Sequence, residues 1–128
     1  MRLLLDTHAF IWWDSAPQKL PTVTFDCIQT PENQVLLSLT SLWEIQIKLQ
    51  LGKLTLRGNL ADIVQEQQAE NNFILLPIEF SHILELEQIP QHHRDPFDRL
   101  LIAQSRVELA AIVTRDAIFE SYDCQVIW

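Results

Sequence analysis

The sequence predicts an α/β fold, with helices packed on a mostly parallel sheet of about five strands. Two observations carry that expectation. Short runs rich in leucine, isoleucine and valine alternate with stretches of helical period, the pattern of strand–helix–strand units. No repeat, low-complexity stretch or linker divides the 128 residues, and 14.9 kDa holds one core and not two. A chain that is 48% apolar and 20% charged folds rather than staying disordered.

Residues 2–5 are a short buried strand. Thr7 opens a helix carrying Ala9, Phe10, Ile11, Trp12 and Trp13. Pro17 or Pro21, each suited to a first helical turn, begins the next helix, which runs to about Ile28. Residues 35–38 form the second strand. A helix follows from about Ser41 to Leu51, and Gly52 ends it. Over residues 60–70, Leu60, Ile63, Val64 and Gln67 share one helical face while Asp62, Glu66 and Glu70 lie off it. Residues 73–76 are the third strand, closed by Pro77, and residues 81–87 a short helix. Asp95-Pro96-Phe97-Asp98 starts a helix to about Leu109, on which Leu100, Ala103, Val107 and Ala111 keep the helical period. Residues 111–114 are the fourth strand and 125–128 the fifth.

Composition excludes several functions. With only Gly52 and Gly58, neither a dinucleotide-binding glycine fingerprint nor a P-loop can be built. A G-x-S-x-G nucleophile elbow is absent as well. Cys27 and Cys124 are too far apart in sequence to be a metal-ligand pair and read as packing residues. The N-terminus meets Asp6 after three leucines, too short a run for a signal peptide, and no apolar run approaches the ~18 residues of a membrane span. The expected location is cytoplasmic, away from membranes. A net charge of −8 excludes a generic basic nucleic-acid coat.

Four acids sit at the ends of predicted elements. Asp6 follows the first strand, and Asp116 comes two residues after Thr114 at the end of the fourth. Glu44 lies in the first turn of the helix after the second strand, and Asp98 in the first turn of the helix after His92-His93-Arg94. Ligands of open α/β sheets gather beyond the carboxyl ends of the strands, so the four can converge. Clustered carboxylates repel one another, and divalent ions relieve that repulsion. Hard oxygen donors without nearby thiolates favour Mg²⁺ or Mn²⁺, which suits phosphodiester hydrolysis.

Structural readings stand beside the catalytic one. Ser41-x-x-Glu44 and Asp95-x-x-Asp98 both match the capping-box pattern, Asp6 or Thr7 can cap the first helix, and Asp116 can be a turn residue. The roles are compatible, because a helix N-terminus keeps a carboxylate ionised.

The ordered set of motifs resembles the PIN-domain ribonucleases, specifically VapC-like toxins of bacterial toxin–antitoxin pairs. The similarity rests on Leu3-Leu4-Leu5-Asp6-Thr7-His8, on Ser38-Leu39-Thr40-Ser41-Leu42-Trp43-Glu44-Ile45, on His92 through Gln104, and on Ile112-Val113-Thr114-Arg115-Asp116. It implies a three-layer α/β/α domain, a metal-dependent endoribonuclease acting on RNA, a cognate antitoxin and a homodimer. Carried over residue by residue, Asp6, Glu44, Asp98 and Asp116 match the acidic quartet. Asp95 suits an N-cap and is a further possible metal ligand.

Thr7 is expected to hold Asp6 or a phosphate oxygen, or to cap its helix. Thr114 orients Asp116 or is simply a strand residue. Arg94, Arg99 and Arg115 flank the acids and can meet the RNA backbone, with solvated surface charge as the alternative. Lys48 is explained by an i,i+4 pair with Glu44. His92-His93 lacks a third zinc ligand at suitable spacing, and His8 is expected to be structural. Trp12, Trp13, Trp43 and Trp128 read as core or dimer contacts more than as base-stacking platforms. The apolar segment 9–13 suits a second subunit or an antitoxin helix. Setting aside the four site acids leaves a charge of −4, so modest RNA affinity and a basic partner are expected. Two other classes fit the same residues: a non-catalytic protein-binding module and a structure-specific DNA nuclease.

Overall fold

Leu3, Leu4 and Leu5 are wholly removed from solvent, because the strand that carries them lies in the middle of the sheet with both faces covered. The computed structural model describes residues 1–91 and 95–128, so the His92-His93 pair and Arg94 lie outside the described residues. The strands are β1 (Arg2–Leu5), β2 (Gln34–Ser38), β3 (Ile74–Leu76), β4 (Ala111–Val113) and β5 (Val126–Ile127). The helices are α1 (Thr7–Ser15), α2 (Thr22–Gln29), α3 (Leu39–Gln50), α4 (Leu60–Asn71), α5 (Phe80–Glu85) and α6 (Pro96–Glu108).

The sheet order is β3-β2-β1-β4-β5, and every neighbouring pair is parallel. Leu3 pairs with Val35 on one side and Ala111 on the other, and Leu5 with Leu37 and Val113. These side chains share one face and pack with Ala9, Phe10, Ile45, Ile63 and Val64 of α1, α3 and α4. Leu4, Leu36 and Ile112 point the other way, against Leu101, Ile102 and Ala103 of α6. The result is the three-layer α/β/α arrangement expected of the sequence. The chain winds outward from β1 in both directions, so the order reverses between β1 and β4, and a crevice opens beyond their carboxyl ends.

Several boundaries move for identifiable reasons. Helix α3 starts at Leu39, not near Ser41, because the Ser38 hydroxyl at the end of β2 accepts the Thr40 N–H at 2.9 Å. The Ser41-x-x-Glu44 capping box is therefore not formed. Pro17 starts only a 3-10 turn (Pro17–Lys19), and Pro21 is the N-cap of α2. Phe73 is a core residue just ahead of β3, and Thr114 lies just beyond β4. Helix α5 ends at Glu85 and continues as a 3-10 turn (Leu86–Gln88), and a third such turn (Ala117–Ser121), unforeseen, follows Asp116. Gly52 stops α3 with φ +69°, as expected, while Asn72 and Leu109 take left-handed conformations after α4 and α6.

Candidate active site

Asp6 is the first residue after β1 and the N-cap of α1. Its backbone N–H donates to Val113 of the neighbouring strand at 3.0 Å, and its carboxylate accepts the Ala9 N–H at 2.8 Å. Only 7% of the residue is exposed, and that burial pushes the carboxyl above its ordinary range. Bonds from the Thr114 hydroxyl and the Ala9 N–H, and the nearby His8, pull the other way, while the charge of Glu44 adds to the rise.

Glu44 is the sixth residue of α3, since that helix starts at Leu39. Instead of capping, it accepts a 2.6 Å hydrogen bond from the Thr7 hydroxyl and pairs with Lys48 at 3.0 Å. The i,i+4 pair is as expected. Thr7 neither caps α1 nor holds Asp6: the first role belongs to Asp6, and the Thr7 hydroxyl is committed to Glu44.

Asp95 caps α6, accepting from the N–H groups of Phe97 at 2.9 Å and Asp98 at 3.3 Å, with Pro96 in the first turn. Asp98 sits in that first turn, and its carboxyl is raised to about 7. Burial is the largest cause, followed by the charges of Asp95, Glu44, Asp6 and Asp116. Asp116 caps the turn after β4 by accepting the Ile118 N–H at 3.0 Å. Its own N–H donates to Thr114 Oγ1 at 3.0 Å, so Thr114, buried beyond β4, bonds to both Asp6 and Asp116.

These segments enclose one cavity of about 310 Å³, lined by Asp6, Glu44, Asp95, Asp98 and Asp116 together with Thr7, His8, Lys48 and Phe119. It lies at the β1/β4 crevice. Each carboxylate influences Asp98, yet no three of the described histidine, cysteine, aspartate and glutamate side chains form a ready-made metal-ligand group. The donor set is otherwise what a hard divalent cation requires: oxygen only, strongly anionic and partly buried. The residues thus fit such an ion in chemistry.

The remaining candidates divide. Arg99 does not line the cavity. Its guanidinium donates to the carbonyls of Pro90 at 2.9 Å and Ile89 at 3.3 Å and braces that segment, so it is not a free surface charge. Arg115 is exposed and stands over the Trp12 ring, 5.3 Å from its centroid. His8, expected to be structural, is exposed and lines the cavity instead. Trp43 is 56% exposed, edge-on to Phe97, and is not a core residue. Lys48 and Phe119 were missed as cavity residues. An i,i+4 pair explained Lys48 without reference to the cavity, and the turn that places Phe119 has no periodic signal.

Fold and cavity together define an α/β/α domain with an acidic site at the switch point of its sheet. The PIN domain family profile matches residues 3–123, and the chain belongs to that family. PIN domains are generally nucleases and typically use divalent metal ions. Among solved structures, VapBC2 from Rickettsia felis bound to a DNA fragment from their promoter is similar with a TM-score of 0.74 at 14% identity, covering 99% of this chain and 98% of that one. FitAcB from Neisseria gonorrhoeae has a TM-score of 0.65 at 20% identity, over 98% and 96% of the two chains. VapBC-1 from nontypeable Haemophilus influenzae has a TM-score of 0.66 at 16% identity, over 99% and 97%. At such identities the likeness is one of fold. No curated protein sequence matches the chain.

Proposed function

We propose that this protein is an endoribonuclease dependent on Mg²⁺ or Mn²⁺, a VapC-like toxin held in check by a cognate antitoxin. The observation that carries the reading is the meeting of Asp6, Glu44, Asp98 and Asp116, from four separate segments, around one cavity at the β1/β4 crevice. These four carboxylates would hold the metal, with Asp95 occupied mainly in capping α6. When bound, the ion supplies Lewis acidity for the phosphodiester and lowers the pKa of water.

The chain's own groups do the positioning. Thr7 fixes Glu44, and Thr114 links Asp6 to Asp116. Asp95 sets the first turn of α6 and so the place of Asp98. Lys48 offsets part of the carboxylate charge where an anionic substrate must approach. No residue on the wall is needed as a nucleophile. The VapBC and FitAB neighbours are toxin–antitoxin complexes, which supports an antitoxin partner. A homodimer and a cytoplasmic location belong to the same reading. No helix among the described residues is long and apolar enough to cross a membrane.

The direct test is cleavage of RNA and DNA of matched sequence in parallel, with Mn²⁺ binding followed by calorimetry. The parent should take up Mn²⁺ and cut RNA. Asp6→Asn and Asp116→Asn should keep the fold and lose both. Preference for DNA would transfer the site to a DNA nuclease. A second reading is the non-catalytic binding module, since no three of the described histidine, cysteine, aspartate and glutamate side chains form a ready-made metal-ligand group. It predicts partner binding with no Mn²⁺ uptake and no cleavage.

A further inference from the structure

Most cations of this acidic protein are already engaged. Arg2 pairs with Glu108, Lys48 with Glu44, Arg57 with Asp14 and Glu66, and Arg106 with Glu85, while Arg99 is spent on backbone carbonyls. Lys19 and Arg115 differ. Neither has an ion-pair partner among the described residues, both are exposed, and both stand over the same aromatic ring, that of Trp12. The Lys19 Nζ lies 5.5 Å from the ring centroid and the Arg115 guanidinium carbon 5.3 Å. The ring is itself backed by Trp128, with centroids 5.7 Å apart. The two residues come from separate segments, the turn after α1 and the loop after β4, so the ring unites them.

Beside this ring lies a second cavity, of about 490 Å³, lined by Asp6, His8, Trp12, Arg115, Asp116 and Ala117. It shares Asp6, His8 and Asp116 with the acidic cavity, so the two adjoin at those residues. The acidic cavity has five carboxylates in its wall, whereas the second has two, Asp6 and Asp116, and adds the guanidinium of Arg115. An aromatic face attracts cations through its quadrupole and restrains a guanidinium without neutralising it. A cation held this way keeps its charge and its donors for an anion.

We propose that the Trp12–Arg115–Lys19 cluster is a phosphate subsite, which binds the backbone of a single-stranded RNA next to the phosphodiester that enters the acidic cavity. This rests on the nuclease reading and adds the position of the strand's path to it. Arg115 is the principal phosphate ligand, since it lines the shared cavity, and Lys19 adds charge behind it. Trp12 is a positioning residue: with cations already over the ring, it orients Arg115 rather than stacking a base. The cluster also answers the charge of −8. Of the three described cations whose side chains have no ion pair or carbonyl bond, Lys19, Lys53 and Arg115, two meet at this ring.

The test uses the full-length protein carrying Asp98→Asn, to suppress cleavage, and a fluorescein-labelled single-stranded RNA of mixed sequence. Affinity is measured by anisotropy over a range of salt concentrations. Arg115→Gln should weaken binding about tenfold and reduce the magnitude of the salt slope by about 0.7, the value for one phosphate contact on a single strand. Lys19→Gln should act in the same direction and less strongly. Trp12→Leu removes no charge, yet should weaken binding nearly as much as Arg115→Gln, and the two losses should not add in the double variant. Arg115→Lys should recover part of the loss. In the cleavage-competent protein the same changes should raise KM and leave kcat within about twofold.

An unchanged affinity and slope in the folded Arg115→Gln, Lys19→Gln double variant, against a parent that binds and cuts RNA, would overturn the subsite and leave the nuclease reading intact. A parent that neither binds nor cuts RNA would overturn both. Full additivity of Trp12→Leu with Arg115→Gln would remove the positioning role of the ring.

Discussion

The Thr7 hydroxyl donates a 2.6 Å hydrogen bond to Glu44 Oε1, joining the start of α1 to the second turn of α3. These residues are 37 positions apart, and the bond fixes one carboxylate oxygen of the acidic cavity while Lys48 holds the other. Thr7→Val keeps the shape of the buried residue and removes the donor. A bond to a charged group typically contributes about 1.5–3 kcal/mol, and the partly exposed Glu44 places this one at the low end. We expect Thr7→Val to lower stability by about 1–2 kcal/mol in urea denaturation. RNA cleavage should fall about ten- to a hundredfold, because catalysis is sensitive to misplacement of the order of 1 Å. Thr7→Ser should restore both.

Asp98 makes the stability of the metal-free protein depend on pH in an unusual direction. Its carboxyl is raised from an ordinary 3.8 to about 7, by burial first and then by the charges of Asp95, Glu44, Asp6 and Asp116. The folded state therefore holds the Asp98 proton more tightly than the unfolded state. The contribution is favourable to folding below pH 3.8, erodes as pH rises, and is lost once pH passes about 7. Asp98→Asn removes this penalty. The variant should melt close to the parent near pH 4 and above it at pH 8, by thermal denaturation in EDTA. Adding Mn²⁺ at pH 8 should narrow the gap by stabilising the parent alone. A variant that melts below the parent at both pH values would contradict the assignment.

Gln104 is fully buried in α6 and joins four elements of structure. Its side-chain carbonyl accepts from the Ser38 and Thr40 hydroxyls, and its amide donates to the Pro77 carbonyl at 3.3 Å and lies 3.3 Å from His82 Nδ1. Ser38 is the N-cap that starts α3 and so sets the place of Glu44. Gln104→Met fills the same volume and leaves those buried partners unpaired. Each orphaned polar group costs about 1–3 kcal/mol, with some recovery by rotation of the hydroxyls. The expected loss is about 2–4 kcal/mol in chemical denaturation, much larger than any exposed ion pair would show on removal.

The same residues explain what was legible in advance. The strands were readable because each is a short apolar run, fully buried in the central β1, and the parallel character of the sheet followed from strand–helix alternation, whereas its order was not legible. The meeting of Asp6 and Asp116 at one cavity was readable because Asp6 directly follows β1 and Asp116 comes three residues after β4. The start of α3 was not. Ser41-x-x-Glu44 matches the capping-box pattern, but the end of β2 brings Ser38 to the Thr40 N–H and makes Ser38 the cap. Moving the cap by three residues rotates Glu44 out of the first turn and toward Thr7. Arg99, Arg115 and His8 were equally open, since each role depends on a carbonyl, a ring or a cavity supplied by a distant segment. The turn after Asp116 is too short to show any period.

Leu109 supplies a prediction independent of the site. It ends α6 at φ +53° and ψ +45° with 87% of its surface exposed. The Ala110 N–H reaches back to the Ser105 carbonyl at 2.9 Å, so the left-handed residue is what turns the chain from α6 into β4. A leucine there bears about 1–2 kcal/mol of steric cost and buries little in return. Leu109→Gly removes that cost and adds unfolded-state entropy worth roughly 0.5–1 kcal/mol against folding. The net expectation is a gain of about 0.5–1 kcal/mol, seen as a rise in Tm of about 2–4 °C for a chain of this length. Leu109→Ala tests the cause. It keeps the Cβ and therefore the strain, and should not stabilise. RNA cleavage should be unchanged in both, because Leu109 lies at the amino end of β4, at the opposite end of that strand from Asp116.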